Sequence, residues 1–316
     1  MMFLRSGMFL LLSLILVICA VVWSGLDLRN LLHRLIEAPH WLLLCFIVLT
    51  GIQITISAIK WRIVVNQLTP ETSPPGFSFF LTCSSASALL SQLLTTYVSS
   101  VVVRGWAGRR FHGIPITRGA GSSVFEQLFD VVVLMCIAIG TLITWIVGGG
   151  ALTWVLFVTL FVVLGMLAST RLNHIIPVLR QLHPKLSGHE ALLDDCGIAR
   201  ICSGPTVSAL YGLSVLRYLV MLARAPLIVI ALGYSISSLD AAQGFTIVQT
   251  TQLAAFTPGN LGLQEWGWSG VLAFLGYGFE KPLEFALALR VMGLTSMIIV
   301  TPLLMAPVFS ARKAMA

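Results

Sequence analysis

The chain has 316 residues, of which 57% are apolar and only 10% are charged, and its mean hydropathy is +0.95. A water-soluble domain cannot bury so large an apolar fraction, so the composition excludes that class and indicates an integral membrane protein. The formal net charge of +7 would suggest nucleic-acid binding in a soluble protein. In a membrane protein it indicates cytoplasmic loops beside anionic lipid, and we expect no nucleic-acid partner.

Six apolar segments are long enough to cross a bilayer, for which a helix needs about 20 residues. The first has an apolar core, Leu10–Val22, that is longer than a signal peptide requires and is not followed by a cleavage pattern, so we expect a retained anchor. Gly148, Gly149 and Gly150 predict a tight turn between the third and fourth spans. The predicted spans are 8–25, 40–59, 122–147, 151–169, 207–232 and 285–309.

Two further segments predict interrupted, re-entrant helices. Residues 72–103 lack charges and are rich in Ser and Thr, but they are too many for one crossing and fewer than the roughly 40 that two crossings need. Within 241–279, Pro258 and Gly259 break an apolar stretch, because proline lacks an N–H donor and glycine permits the turn. The predicted fold is all-α: a polytopic membrane protein with about six spanning helices and two such segments.

A shift of 160 residues aligns the two interrupted segments and places Trp106 on Trp266 and Asp130 on Arg290. Each copy is a polar interrupted segment followed by a span that contains a charge. We therefore predict a single membrane domain, 1–316, with repeat halves 40–150 and 207–309. Because an odd number of spans separates the copies, their topology should be inverted, which is a transporter architecture.

The basic residues predict the orientation. With both termini cytoplasmic, thirteen Lys and Arg residues, Lys60 among them, fall on the inner side and three fall outside, as the positive-inside rule favours. A rival topology, in which 72–103 crosses once and the N-terminus is external, places twelve basic residues inside and four outside. The counts barely separate the two topologies, so the length and polarity of 72–103 decide between them. The expected location is the bacterial cytoplasmic (inner) membrane.

Ionisable residues inside a span cost about 2.5–3.5 kcal/mol each on insertion scales, so each needs a physical reason. Two carboxylates four residues apart share one helix face, and two arginines seven apart share another. They either neutralise each other inside the bundle, or the arginines bind an anionic headgroup while the acids gate the site or couple it to protons. The residues concerned are Glu126, Asp130, Arg217, Arg224, Glu265 and Arg290.

The break at Thr257–Asn260 is followed by a predicted helix start near Asn260 or Leu261. Its free N–H groups and positive dipole end would form an anion site at membrane depth, with Gly262 close by. Glu265 lies in the first turns of this helix, where it can cap the helix or pair with an arginine.

Metal and cofactor chemistry is not expected. The six cysteines show no C-x-x-C spacing and are interpreted as small apolar residues of the helices. His183, His189 and the acidic residues of the 170–206 loop lack paired ligand spacing, and no nucleotide-binding or hydrolase motif is found.

Several motifs together resemble the flippase-like membrane domain of lysyl-phosphatidylglycerol synthases. They are Lys60-Trp61-Arg62, the segment that closes on Arg104, the helix with Glu126-Gln127-Leu128-Phe129-Asp130, the element from Pro258 to Glu265, and a helix with Arg290. Two departures are that Gln127 replaces the usual arginine and that Tyr97–Val103 lacks the usual Pro/Gly turn, so headgroup preference can differ. The aminoacyl-transferase domain is absent, and we expect no lipid aminoacylation.

The resemblance implies a lipid translocase, not an enzyme, whose polar cavity holds the headgroup of a membrane lipid of the phospholipid or polyprenyl-phosphate type. Glu126 and Asp130 are the gating or proton-coupling candidates. One alternative is a membrane-embedded transferase for lipid-linked sugars or polyisoprenoids that uses Asp194-Asp195, and another is a scaffold for envelope-biosynthesis enzymes. The predicted substrate-binding residues are Arg104, Arg217, Arg224, Pro258, Gly259, Asn260, Gly262, Glu265 and Arg290.

Overall fold

The computed structural model describes residues 28–68, 75–92, 96–171, 204–251, 253, 260–278 and 280–313. The predicted first span, the 172–203 part of the loop and the triplet Thr257–Gly259 lie outside these ranges. Within them every regular element is a helix, as the sequence predicts.

The helices follow the chain in this order: α1 Leu28–Ile36, α2 His40–Leu68, α3 Phe77–Leu90, α4 Thr96–His112, α5 Ile116–Val147, α6 Ala151–Thr170, α7 Gly204–Leu222, α8 Arg224–Leu232, α9 Ser238–Thr251, α10 Leu263–Phe274 and α11 Glu280–Lys313.

Five helical stretches among the described residues are long and apolar enough to cross a membrane, and they confirm the predicted second to sixth spans. Two bounds differ most from prediction. α2 runs on to Leu68 instead of ending at 59, and α5 begins at Ile116, after the turn at Gly113 and Pro115, instead of at 122. Hydropathy alone could not predict these helix ends, because helical turns that pack against other parts of the protein can be polar.

The fourth of these candidate spans, Gly204–Leu232, has an irregular turn at Ala223 that the sequence did not predict. α7 ends at Leu222 and α8 begins at Arg224. Pro226 has no N–H to donate to the carbonyl of Leu222, which loosens the helix at this point.

Both interrupted segments are confirmed as pairs of short helices. The first consists of α3 with 14 residues and α4 with 17, and α4 continues past the predicted end at 103. The second consists of α9 with 14 residues and α10 with 12. At about 1.5 Å per residue, none of them reaches across a 30 Å hydrocarbon core. That each pair re-enters on one side stays a prediction.

The helices occur twice in the same order, as one long, two short and one long. α2 to α5 have 29, 14, 17 and 32 residues, and the stretch from α7 to α11 has 29, 14, 12 and 34. α6 stands alone between the copies. The predicted repeat and the inversion of its copies stay predictions.

The chain divides into two compact units. The first unit comprises the described residues within Met1–Gln53, Ala88–Ser99 and Leu219–Leu304. The second comprises those within Ile54–Ser87, Ser100–Tyr218 and Met305–Ala316. Each unit therefore contains most of the short helices and of the last long helix of one copy, together with parts of both first long helices.

In the second unit, α5 and α6 pack with their backbones close together. Gly148, the residue directly after α5, has a φ of 70°. This left-handed conformation ends the helix and closes the predicted turn. A Cβ added at Gly140 would lie 2.9 Å from the Cα of Val158. Only glycine allows this helix approach.

The substitution Gly140→Ala should therefore destabilise the protein by about 1–3 kcal/mol, the usual range for overpacking against backbone that cannot yield. Thermal unfolding in detergent measures the effect. Gly212→Ala on α7 is the control, because a Cβ there meets nothing within 4 Å. Equal melting temperatures for the two variants would contradict the close approach.

Candidate functional site

A cluster of buried charges joins five helices of the second unit. Arg104 of α4 is 2% exposed and forms an ion pair with Glu126 of α5, which is 1% exposed. Its guanidinium also donates to Ser57 Oγ of α2 at 2.8 Å and to Ser84 Oγ of α3 at 3.4 Å. This arrangement compensates the buried Arg104 charge from three neighbouring helices. We call these residues, together with Lys60, Asp130 and Arg217, the Arg104 cluster.

Lys60 is fully buried within α2. Its Nζ donates to Asp130 Oδ1 at 2.6 Å and to the backbone carbonyl of Glu126 at 3.3 Å. The sequence predicts Lys60 at the end of its span, but α2 continues for two more turns to Leu68, so Lys60 lies within the helix. The Lys60-Trp61-Arg62 motif was the signal that could have identified it. The orientation of the chain stays a prediction.

Arg217 of α7 completes the cluster by pairing with the other carboxylate oxygen of Asp130. The side chains of this pair are 18% and 21% exposed, whereas those of Lys60, Arg104 and Glu126 are at most 2% exposed. The cluster therefore has a buried end at Arg104 and an accessible end at Arg217.

The surrounding packing fixes these positions. Trp61 lies one residue after Lys60, donates from Nε1 to Ser122 Oγ at 3.0 Å and lies 4.9 Å from the Arg104 guanidinium. α4 and α5 approach closely because both have glycine at the contact: a Cβ at Gly119 would lie 3.1 Å from the Cα of Gly105. That contact brings Arg104 within reach of Glu126.

The Arg104 cluster contains more positive than negative charge. Lys60, Arg104 and Arg217 face Glu126 and Asp130, so full ionisation leaves an excess of one positive charge. An excess charge at membrane depth is costly without a counter-ion. The cluster can accept an anion.

The first unit has a second buried pair. Arg290 of α11 pairs with Glu265 of α10 and also donates to the Asn260 carbonyl at 3.0 Å. The other oxygen of the Glu265 carboxylate accepts the Gly262 N–H at 2.8 Å. Glu265 thus both caps the helix and pairs with an arginine. The Glu265 carboxylate accepts the Gly262 N–H at this helix start, and an anion site for a ligand there stays a prediction. Pro258 and Gly259 lie outside the described residues.

Arg224, the first residue of α8, donates to Thr50 Oγ1 at 3.0 Å and Gln53 Oε1 at 2.7 Å of α2. Thr50 is hydrogen-bonded in turn to Ser296 Oγ at 2.9 Å. The helix is irregular only at Ala223, whose dihedrals stay helical, and Arg217 and Arg224 belong to different units. That the two arginines share one helix face stays a prediction. Of the two, Arg217 has the predicted carboxylate partner, and Arg224 donates to neutral oxygens.

The remaining site predictions concern metals and cysteines. Cys45, Cys83 and Cys136 are free thiols, and the described ranges contain no group of three or more His, Cys, Asp or Glu residues that could hold a metal. Asp194 and Asp195 lie outside those ranges.

Removing one partner of the Arg104–Glu126 pair should destabilise the protein strongly. Glu126→Leu leaves the Arg104 charge uncompensated, which typically costs about 3–5 kcal/mol, whereas Arg104→Met with Glu126→Leu should recover most of this loss. A double-mutant cycle on thermal unfolding in detergent measures the coupling.

The exposed pair of Arg34 and Glu284 provides the control. The Arg34 side chain is 44% exposed, so Arg34→Gln should cost less than about 1 kcal/mol. A double variant as unstable as Glu126→Leu alone would contradict the pairing.

The comparisons agree with this architecture. The family model described as "Lysylphosphatidylglycerol synthase TM region" matches residues 9–301. No significantly similar curated protein or solved structure was found. The match covers most of the chain and all its candidate spans up to residue 301. The chain is therefore a multi-pass membrane protein of the lysylphosphatidylglycerol synthase TM region family, whose members are membrane domains associated with lipid handling.

Proposed function

We propose that this protein translocates a lipid with an anionic, phosphate-bearing headgroup across the bacterial cytoplasmic membrane. One observation carries the proposal: the Arg104 cluster holds an excess of one positive charge at membrane depth, and its accessible end is the Arg217–Asp130 pair. A phosphate is the lipid group that would neutralise this excess. The lipid tails stay in the bilayer.

The proposed binding step is an exchange of counter-ions at Arg217. A guanidinium can hold two phosphate oxygens side by side, and such charge-assisted hydrogen bonds are the strong ones. When the phosphate takes Arg217, Asp130 keeps its 2.6 Å contact with Lys60. No carboxylate is left without a cation, so the exchange requires little rearrangement of buried charge.

Different members of the cluster have different proposed roles. Arg104 and Glu126 are too deeply buried to meet a headgroup and hold α2, α3, α4 and α5 together. Lys60 supplies the excess charge. Asp130 is the resting counter-ion and, with Glu126 and Glu265, a candidate for proton coupling, since the sequence contains no ATP-binding motif.

The first unit contains two further predicted headgroup arginines. Arg224 donates to Thr50 Oγ1 and to Gln53 Oε1 of α2, and Arg290 pairs with Glu265. That either of them binds a headgroup stays a prediction. In this proposal the chain is a transporter, not an enzyme, and envelope-biosynthesis enzymes are its candidate partners.

Replacing Arg217 by Gln should slow headgroup movement roughly 10- to 100-fold, the equivalent of losing a charged hydrogen-bond partner at about 1.5–3 kcal/mol. The measurement is dithionite accessibility of fluorescent phosphatidylglycerol in vesicles containing the purified protein. Folding should persist, because Asp130 keeps Lys60 as its partner.

Arg171→Gln is the matched control, since it removes one arginine from the exposed end of α6. Transport by Arg217→Gln at the wild-type rate would rule out Arg217 as the headgroup contact. Equal slowing by both variants would point to a general effect of charge.

Replacing Lys60 by Met should change selectivity and not stability. It leaves Arg104 with Glu126 and Arg217 with Asp130, two neutral pairs. At a distance of roughly 8 Å and an effective dielectric of about 20, the Lys60 charge would stabilise a bound phosphate by about 2 kcal/mol. Without it, the preference for anionic over zwitterionic lipid should fall about thirtyfold.

Competition between fluorescent phosphatidylglycerol and phosphatidylcholine in the same vesicle assay measures this preference. An unchanged preference in a folded Lys60→Met protein would mean that the cluster's net charge does not select the headgroup.

A further inference from the structure

The outward face of α4 carries a graded row of side chains. Val102 is 52% exposed, Trp106 is 60% exposed, and Arg110 is also exposed. Residues four apart lie on one face of a helix and about 6 Å apart along its axis. The row therefore runs from apolar through aromatic to basic over about 12 Å.

The opposite face of α4 shows that this exposure is specific to one side. Arg104 is 2% exposed and Ala107 is 3% exposed, and Gly105 and Gly108 lie against α5 and the turn that precedes it. α4 therefore faces the Arg104 cluster with one side and the surroundings of the protein with the other.

The row matches the profile of one bilayer leaflet. Valine suits the hydrocarbon, tryptophan is enriched at the interface, and arginine suits the headgroup layer. Phe111 lies 6.0 Å from Trp106, edge to face, and widens the aromatic zone. Arg109 of α4 is also exposed. On α2, Arg62 is exposed too, and its guanidinium lies over the Phe77 ring. Burial lowers the pKa of His112, so this neighbour stays neutral near pH 7.

We infer that this α4 lipid face, formed by Val102, Trp106, Arg109, Arg110 and Phe111, binds an anionic phospholipid from the surrounding leaflet. The phosphate and headgroup contact Arg109 and Arg110, and an acyl chain lies along Val102 and Trp106. Basic residues near the surface attract anionic lipid by about fivefold each, the equivalent of about 1 kcal/mol. This surface is separate from Arg217 and does not depend on translocation.

Native mass spectrometry of the full-length protein, released from bilayers of equal parts phosphatidylglycerol and phosphatidylcholine, tests the inference. Wild type should retain phosphatidylglycerol in excess. The double variant Arg109→Gln, Arg110→Gln should lose about 25-fold of this excess if the two contributions add, and Arg109→Lys with Arg110→Lys should keep most of it. Trp106→Ala should weaken retention of both lipids.

Arg171→Gln, which removes an exposed arginine at the end of α6, should leave the excess unchanged. An unaltered excess in the double Gln variant, or an equal loss in Arg171→Gln, would overturn the inference. Arg217→Gln gives an independent check: if it stops transport but keeps the phosphatidylglycerol excess, the α4 lipid face is separate from the proposed transport site. If Arg217→Gln transports at the wild-type rate, the Arg217 assignment fails and the α4 lipid face still stands; if the wild-type protein itself does not transport, the proposed function fails and the α4 lipid face is again unaffected.

Discussion

The organising constraint in this protein is that an ionised side chain at membrane depth must have a partner of opposite charge. Arg104 meets Glu126 in the second unit, and Arg290 meets Glu265 in the first. Each pair joins the second short helix of an interrupted segment to the long helix that follows it. Because a buried charge without a partner is costly, these ion pairs determine the positions of α4 and α10 against the long helices.

The two pairs have opposite charge order. In the second unit the arginine is on the short helix α4 and the acid is on the long helix α5, whereas in the first unit the acid is on α10 and the arginine is on α11. Charge compensation requires only that the two partners have opposite signs. The arginine and the acid can therefore change places between the short and the long helix. Glu265 uses its position in the first turn of α10 to cap that helix as well, and this is where a carboxylate is favourable.

Close packing makes the pairing achievable. Gly105 and Gly119 let α4 and α5 touch through their backbones, and in the first unit a Cβ at Gly244 would lie 2.9 Å from the Trp268 ring. Without hydrophobic attraction between helices in lipid, small residues and polar contacts hold them together. In the second unit these ion pairs leave one positive charge in excess, and the proposed function rests on this excess charge.

The sequence by itself determined the helical membrane class, the second to sixth spans and both interruptions, because hydropathy, the length and polarity of a segment, and the Pro258-Gly259 break are local properties. It also identified Asp130 and Arg217 as charges that need partners. Only the tertiary structure decided that Lys60 belongs to the same cluster, that Arg104 takes Glu126, and that Arg217 is the accessible end. Partner choice and exposure depend on which helices pack together, and no local pattern along the chain encodes that.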